Sequence, residues 1–237
     1  MSIRKIVKMF EKGSVCVTGM RGRGKDLLIA NVVARRNEPY VSNVSYGGEY
    51  YALRLEMLNM GGNTYDDFIR DDLKPYKHPY KRGADIYVSD VGVYLPSQYC
   101  NELNKKYPYL PTYFALSRQV SGNSIHFNVQ NLARAWDKIR EMSDMYIMCN
   151  WCKVICGIVI QSVTIYDKAD SCQARVKPCR IRVPLICSGE RRDAIEMYRD
   201  NFFNVHGTVK NMLLIYRNRS TYDTLIFEKK LGVTYEE

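Results

Sequence analysis

Hydrophobic positions along this chain fall into short runs whose period changes repeatedly. Ser14 to Thr18 (SVCVT) is a compact apolar run of strand length that leads directly into a glycine-rich stretch. From Lys25 to Arg36 the apolar residues Leu27, Leu28, Ala30, Val32, Val33 and Ala34 fit a mostly buried helix, closed by Asn37-Glu38-Pro39. Tyr40 to Val44 (YVSNV) reads as a second strand. The polar, tyrosine-rich segment after it contains Gly47-Gly48, Gly61-Gly62 and DDFIRDDLKPYKHPYKRG, and reads as helix pieces and surface loops. ADIYVSDVGVYLPS then supplies a strand from Ile86 to Val88 that stops at Asp90, and a helix is expected over Gln98 to Lys105. Past a turn at Pro108 to Pro111 come YFALSRQVSG, the strand SIHFNVQ, the helix ARAWDKIREMSD and the strand MYIMCNW.

Strands alternating with helices predict an α/β fold, a mainly parallel sheet with helices on its faces. From Val154 to Leu185 the pattern turns strand-like without helices, as hairpins do. GERRDAIEMYRDNFFNV reads as one more amphipathic helix, and Met212 to Phe227 as extended. No internal repeat or low-complexity linker interrupts the chain. The expectation is a single domain over 1–237, with a core at about 14–150 and a β-rich C-terminal extension at about 151–237.

Composition narrows the partners more than the fold. The 237 residues are 46% hydrophobic and 25% charged, enough for one sizeable core. A net charge of +10, spread along the chain, favours polyanions: nucleic acid, nucleotides or an anionic membrane surface. A basic protein with no nucleic-acid partner remains the alternative. Arg4, Lys5 and Lys8 interrupt Met1 to Phe10, so no secretory signal is read there. Met145 to Tyr166 is long enough to cross a membrane but carries Asn150, Lys153 and Gln161, and its Val/Ile/Tyr/Thr content suits successive strands, so no membrane span is expected. Of the eight cysteines, most stand in apolar contexts and read as reduced, buried thiols. The alternative is a zinc site built on Cys149-x-x-Cys152 with Cys156, Cys172 or Cys179; a regular strand sets Cys149 and Cys152 on opposite faces, whereas zinc needs a tight turn there.

The candidate chemistry lies in VTGMRGRGKD. Gly19-x-x-x-x-Gly24-Lys25 has the spacing of a phosphate-binding loop, and it stands between a buried strand and an apolar helix, where such a loop belongs. Glycines 19, 22 and 24 let the backbone curl so that successive N–H groups face phosphate oxygens, and the helix N-terminus adds its dipole. Gly19, Met20, Arg21, Gly22, Arg23, Gly24, Lys25, Asp26 and Leu27 are the expected nucleotide-binding residues, with Lys25 across the β/γ-phosphates. Arg21 and Arg23 either reinforce anion binding or face solvent. Asp26 stands where a Ser or Thr hydroxyl usually binds Mg²⁺. A carboxylate also ligates Mg²⁺, yet it sets a negative charge beside the phosphates; the alternative is a helix-terminal residue favoured by the dipole. Asp90, at the end of a buried strand, is the second expected Mg²⁺ ligand, with a turn residue as its alternative. Val91 and Gly92 follow it, where ATPases of this kind often place a water-polarising glutamate; Glu102 is a weak substitute as general base.

With these parts in place the chain resembles the Zot-like family, named for zonula occludens toxin and including the filamentous-phage assembly ATPases, within the FtsK/HerA group of DNA-pumping P-loop motors. The resemblance covers about Ser14 to Asn150. It rests on TGMRGRGKD after a strand, VSNV on the next, IYVSDVGVYLPS at the acidic strand, and LSRQVSGNSIHFNVQNLARAWDKIRE. It implies ATP and Mg²⁺ as cofactors and makes Lys25 and Asp90 catalytic. Gln130 becomes the polar sensor beside the γ-phosphate, and Arg118 and Arg140 the arginines available to a neighbouring subunit or to the nucleotide. Gln119 departs from the family, which often has histidine after that arginine. The family's assembly proteins commonly continue into a transmembrane helix; without one, the layout is nearer to soluble packaging ATPases of small icosahedral viruses.

The function implied is a viral motor ATPase that packages or extrudes DNA during virion assembly. Its implied partners are DNA, further copies of itself in a ring, and capsid or virion assembly proteins. Its implied place is the host cytoplasm, virion-associated or peripheral to the membrane. A nucleotide-binding structural or adaptor protein with weak or no hydrolysis is the second reading. A small-molecule or nucleotide kinase suits the length but lacks an evident lid or base-recognition motif.

Overall fold

Residues Val15 to Thr18 are buried at all four positions because their strand, β1, lies inside an eight-stranded sheet with neighbours on both edges. A computed structural model of the chain describes residues 3–59, 80–167 and 209–222. The other strands are β2 (Tyr40–Ser42), β3 (Tyr50–Ala52), β4 (Ile86–Val88), β5 (Ile125–Val129), β6 (Met145–Ile155), β7 (Ile158–Asp167) and β8 (Val209–Arg217). Their order is β3-β2-β4-β5-β1-β6-β7-β8. β1 to β6 pair in parallel, and β7 and β8 join antiparallel at one end. The fold is therefore a mainly parallel α/β sheet with a β-rich extension that continues the same sheet.

Alternation along the strands divides the core into two layers. Cys16, Ile86, Val88 and Phe127 face one cluster, which holds Leu110, Tyr113, Phe114 and Trp136. Val15, Val17, Tyr87 and Ile147 face the other, which holds Ile6, Phe10, Leu28, Ile29 and Val32. Helices supply both layers: α1 (Ile3–Lys12) and α2 (Lys25–Arg36) on the second face; α3 (Leu55–Leu58), α4 (Val91–Tyr94), α5 (Cys100–Lys106), α6 (Leu110–Ser121) and α7 (Asp137–Glu141) complete the set among the described residues.

Several elements differ from the sequence expectation. The basic leader is the helix α1: Ile3, Ile6 and Phe10 recur three and four apart and are buried, and Arg4, Lys5 and Lys8 take the other positions. YFALSRQVS belongs to α6, whose Pro111 sits in the first turn, where a missing N–H costs nothing. The expected helix over ARAWDKIREMSD shrinks to a 3-10 turn at Leu132–Arg134 and the short α7. Asn150 is an extra residue in β6, since Cys149 faces Val163 and Trp151 faces Ser162. Cys152 then stands opposite Gln161, two residues from Val163, so Cys149 and Cys152 share one face after all. Among the described residues no group of three His, Cys, Asp or Glu could hold a metal. Burial raises the pKa of Cys16, Cys149 and Cys152.

Met145 to Tyr166 forms the β6–β7 hairpin, and no helix among the described residues is long and apolar enough to cross a membrane. Gly61-Gly62, most of DDFIRDDLKPYKHPYKRG, the helix expected over GERRDAIEMYRDNFFNV, Cys172, Cys179, Cys187 and the tail beyond Tyr222 lie outside the described residues.

Candidate functional site

The glycine loop leaves the C-terminal end of β1, and its backbone shows why glycines occupy it. Gly19, Gly22 and Gly24 have φ of 139°, 74° and 79°, in the region that L side chains rarely adopt. Space adds to conformation at two of them. A Cβ on Gly19 would stand 2.5 Å from the Cys149 carbonyl oxygen, and one on Gly24 would stand 2.7 Å from Cys152 Cβ. Arg23 N donates to Met20 O at 3.3 Å, and Leu28 N to Gly24 O at 3.0 Å, which starts α2. Lys25 is buried and donates from Nζ to Met20 O at 3.1 Å. Burial lowers its pKa, against the opposing pull of Asp26, Cys149 and Asp90. Arg21 and Arg23 are exposed.

Two carboxylates meet this loop, and an amide joins them. Asp26 Oδ1 accepts from Asn128 Nδ2 at 2.7 Å, Ser89 Oγ at 3.0 Å and Tyr46 Oη at 3.2 Å. The same Asn128 accepts from Asp90 N through its Oδ1 at 2.8 Å. Asn128 lies on β5, between β1 and β4 in the sheet, so it reaches both sides. Asn43 fixes Ser89 by exchanging two bonds with its backbone, at 2.7 and 2.9 Å. Asp90 itself adopts φ 47° and ψ 56° at the head of α4. Its pKa is raised, first by burial and then by the Asp26 charge, while Lys25 pulls it down. Asp90 thus lies within electrostatic reach of both the Asp26 carboxylate and the Lys25 ammonium.

Sequence reasoning placed Gly19 to Leu27 and Asp90 together, and the fold brings them together. It passed over Asn128, Ser89 and Tyr46. Two polar residues, His126 and Asn128, alternate with the apolar positions of β5, and Asn128 is the one at the glycine-loop end of the strand. Gln130 follows Val129, the register partner of Thr18, and so stands beside Gly19 at the same end of the sheet, exposed.

The two arginines lie elsewhere. Arg118 donates from Nη2 to Lys12 O at 2.5 Å and stands 3.9 Å from Asp144 Oδ2. Both partners precede their strands, so Arg118 sits at the N-terminal ends of β1 and β6, across the sheet from the loop. Within this chain it is not brought to the glycine loop. Arg140 donates from Nη1 to Leu132 O at 3.4 Å, tying α7 to the turn after β5. Glu102 is exposed on α5.

No protein-family model matches the chain, and no curated protein matches it either. Among solved structures it is similar to the N-terminal domain of zonular occludens toxin from Neisseria meningitidis, namesake of the family its motifs resemble. The identity is 13%, over 91% of this chain and 97% of that one, with a TM-score of 0.45. It is similar to the genome packaging NTPase B204 from Sulfolobus turreted icosahedral virus 2, in complex with ATP-gammaS, at 15% identity over 57% and 74% of the two chains, with a TM-score of 0.36. A third is EssC (ATPases 2 and 3) from Geobacillus thermodenitrificans, at 10% identity over 94% of this chain and 43% of that one, with a TM-score of 0.41.

Proposed function

We propose that this chain is an ATP-binding P-loop NTPase whose hydrolysis moves DNA, by packaging or extrusion, during virion assembly. The observation that carries the reading is the convergence of Lys25, Asp26 and Asp90 on the glycine loop, at the C-terminal ends of β1, β4 and β5, where ligands of such sheets bind. The positive-φ glycines and the start of α2 suit a polyphosphate, and Lys25 supplies the buried cation over it.

The residues also fit Mg²⁺. All three hydrogen bonds to Asp26 fall on Oδ1, so a cation would be taken by Oδ2, with Asp90 as the second carboxylate. Mg²⁺ would supply neutralisation of charge on the phosphoryl oxygens. Asn128 ties the Asp26 carboxylate to the Asp90 backbone, Gln130 would sense the γ-phosphate state, and Lys25 would stabilise developing negative charge. Arg118 and Arg140 are the arginines a ring would present between subunits. DNA as the polyanion follows from the +10 charge and from the motif order that resembles DNA-pumping motors.

A specific observation favours the second reading, a nucleotide-binding adaptor of virion morphogenesis. Val91 opens α4 in the place of the water-polarising glutamate. Steady-state ATP turnover with and without double-stranded DNA separates the two. The motor reading expects turnover that DNA raises several-fold and that Asp90→Ala abolishes. Tight Mg²⁺-ATP binding with no turnover in either condition would favour the adaptor.

A further inference from the structure

One fully buried side chain meets the phosphate loop from outside the carboxylate cluster. Gln161 lies in β7, on the β-rich extension, and is wholly inaccessible. Its Nε2 stands 3.0 Å from Gly24 O, 3.3 Å from Arg23 O and 3.4 Å from Cys149 Sγ. Its Oε1 accepts from Tyr216 Oη on β8 at 3.0 Å. The partners fix the amide's orientation: carbonyl oxygens only accept, so the atom facing two of them is the nitrogen. Tyr216 is itself held, buried, with the Arg35 guanidinium of α2 5.3 Å from its ring centroid.

Peptide geometry converts this contact into a statement about the loop. A trans peptide points its C=O and N–H in opposite directions. The Arg23 carbonyl shares its plane with the Gly24 N–H, and the Gly24 carbonyl shares its plane with the Lys25 N–H. Drawing both carbonyls toward β7 turns those two N–H groups the other way, into the hollow where phosphate oxygens would lie. The Gly24 carbonyl is held twice, since Leu28 N also donates to it. Packing enforces the arrangement, because a Cβ on Gly24 would stand 3.0 Å from Gln161 Nε2.

We propose that Gln161 is a positioning residue for the nucleotide site: through Arg23 O and Gly24 O it presets the Gly24 and Lys25 N–H groups for phosphate, and Tyr216 holds its amide in the required orientation. The inference rests on the nucleotide-binding reading of the loop. It makes the extension a working part of the site, acting on the phosphate cradle and on nothing that reads the base.

Gln161→Met keeps the side chain's length and removes both donors. It should therefore weaken ATP, ADP and inorganic pyrophosphate by a similar factor, about tenfold, the scale of losing charge-facing hydrogen-bond geometry in a buried site. Tyr216→Phe, which removes only the orienting hydroxyl, should weaken all three by about two- to threefold. Calorimetry well below the melting temperature measures the affinities, and thermal denaturation measures stability separately. A lower Tm with all three affinities unchanged in Gln161→Met would mean a purely structural glutamine and overturn the proposal. If that variant does not fold, Tyr216→Phe decides on the same readout, and unchanged affinities there overturn the proposal equally. A parent protein that binds none of the three ligands overturns the reading of the loop and this inference with it, whereas a binding parent with unchanged variants overturns this inference alone.

Discussion

Asp26 is the residue that departs most from the usual phosphate-loop pattern, and three donors explain how the protein tolerates it. A carboxylate beside phosphates is repulsive unless it is solvated or neutralised. Asn128, Ser89 and Tyr46 solvate one oxygen, and Lys25 lies within electrostatic reach. Asp26→Asn keeps an acceptor for Asn128 and removes the charge. It should improve binding of metal-free ATP about tenfold and leave Mg²⁺-ATP binding equal or weaker, so that the metal dependence shrinks. Titrations in EDTA and in Mg²⁺ check this, and identical affinities to the parent in both would show that Asp26 faces away from the ligand. At this scale the sequence disclosed the residues that carry charge and spacing, because glycines, a lysine and strand-terminal aspartates stand out of an apolar context. Asn128 and Gln161 did not stand out. Their roles depend on the order of the strands, with β5 beside β1 and β7 one strand further away, and that order is a property of the fold rather than of the local pattern.

Elements meet at the other end of the sheet through a second polar cluster, which anchors the frame instead of the ligand. Asp85, just before β4, accepts from Arg36 at the end of α2 and from Ser124 N at 3.0 Å, and lies 3.2 Å from His126 Nε2 on β5. Val15 N donates to His126 Nδ1 at 3.2 Å, so the imidazole is neutral with its proton on Nε2. Burial lowers its pKa below the ordinary 6.5; Asp85 opposes that shift, while Arg36 and Arg118 reinforce it. The folded state therefore binds fewer protons than the unfolded one between the two pKa values, and stability is lost as pH falls from 6.5 through that window. The slope reaches at most about 1.4 kcal/mol per pH unit for one proton. Asp85, whose pKa is lowered, adds a loss at more acid pH, below its ordinary 3.8. His126→Gln should flatten the dependence just below pH 6.5, measured by urea denaturation, while lowering stability at neutral pH; an unchanged slope would assign the titration to another group. β1, β2, β4 and β5 were legible because each is a short, largely apolar run; β3, Tyr50–Ala52, was not, because it is an exposed edge strand inside the polar segment read as helix pieces and loops. α1 was not, because charges at half of its positions mask a three-four period, and the β6 bulge was not, because one extra residue leaves no mark until the partner strand is known.

Among the described residues the chain is a sheet with a helix-bearing core on each face, and the glycine loop, Asp26 and Asp90 gather at one end of it. Everything assigned a ligand role except Arg118 and Arg140 lies at or beside that end, and the extension β7–β8 braces it from the side. The central claim is that this end binds a nucleotide through Lys25. The most direct measurement is calorimetric titration of the parent and Lys25→Ala with Mg²⁺-ATP. The parent should bind, and the variant should lose at least about a hundredfold in affinity, since the backbone cradle alone lacks a fixed cation over the β/γ-phosphates. Equal affinity in the two proteins would contradict the account.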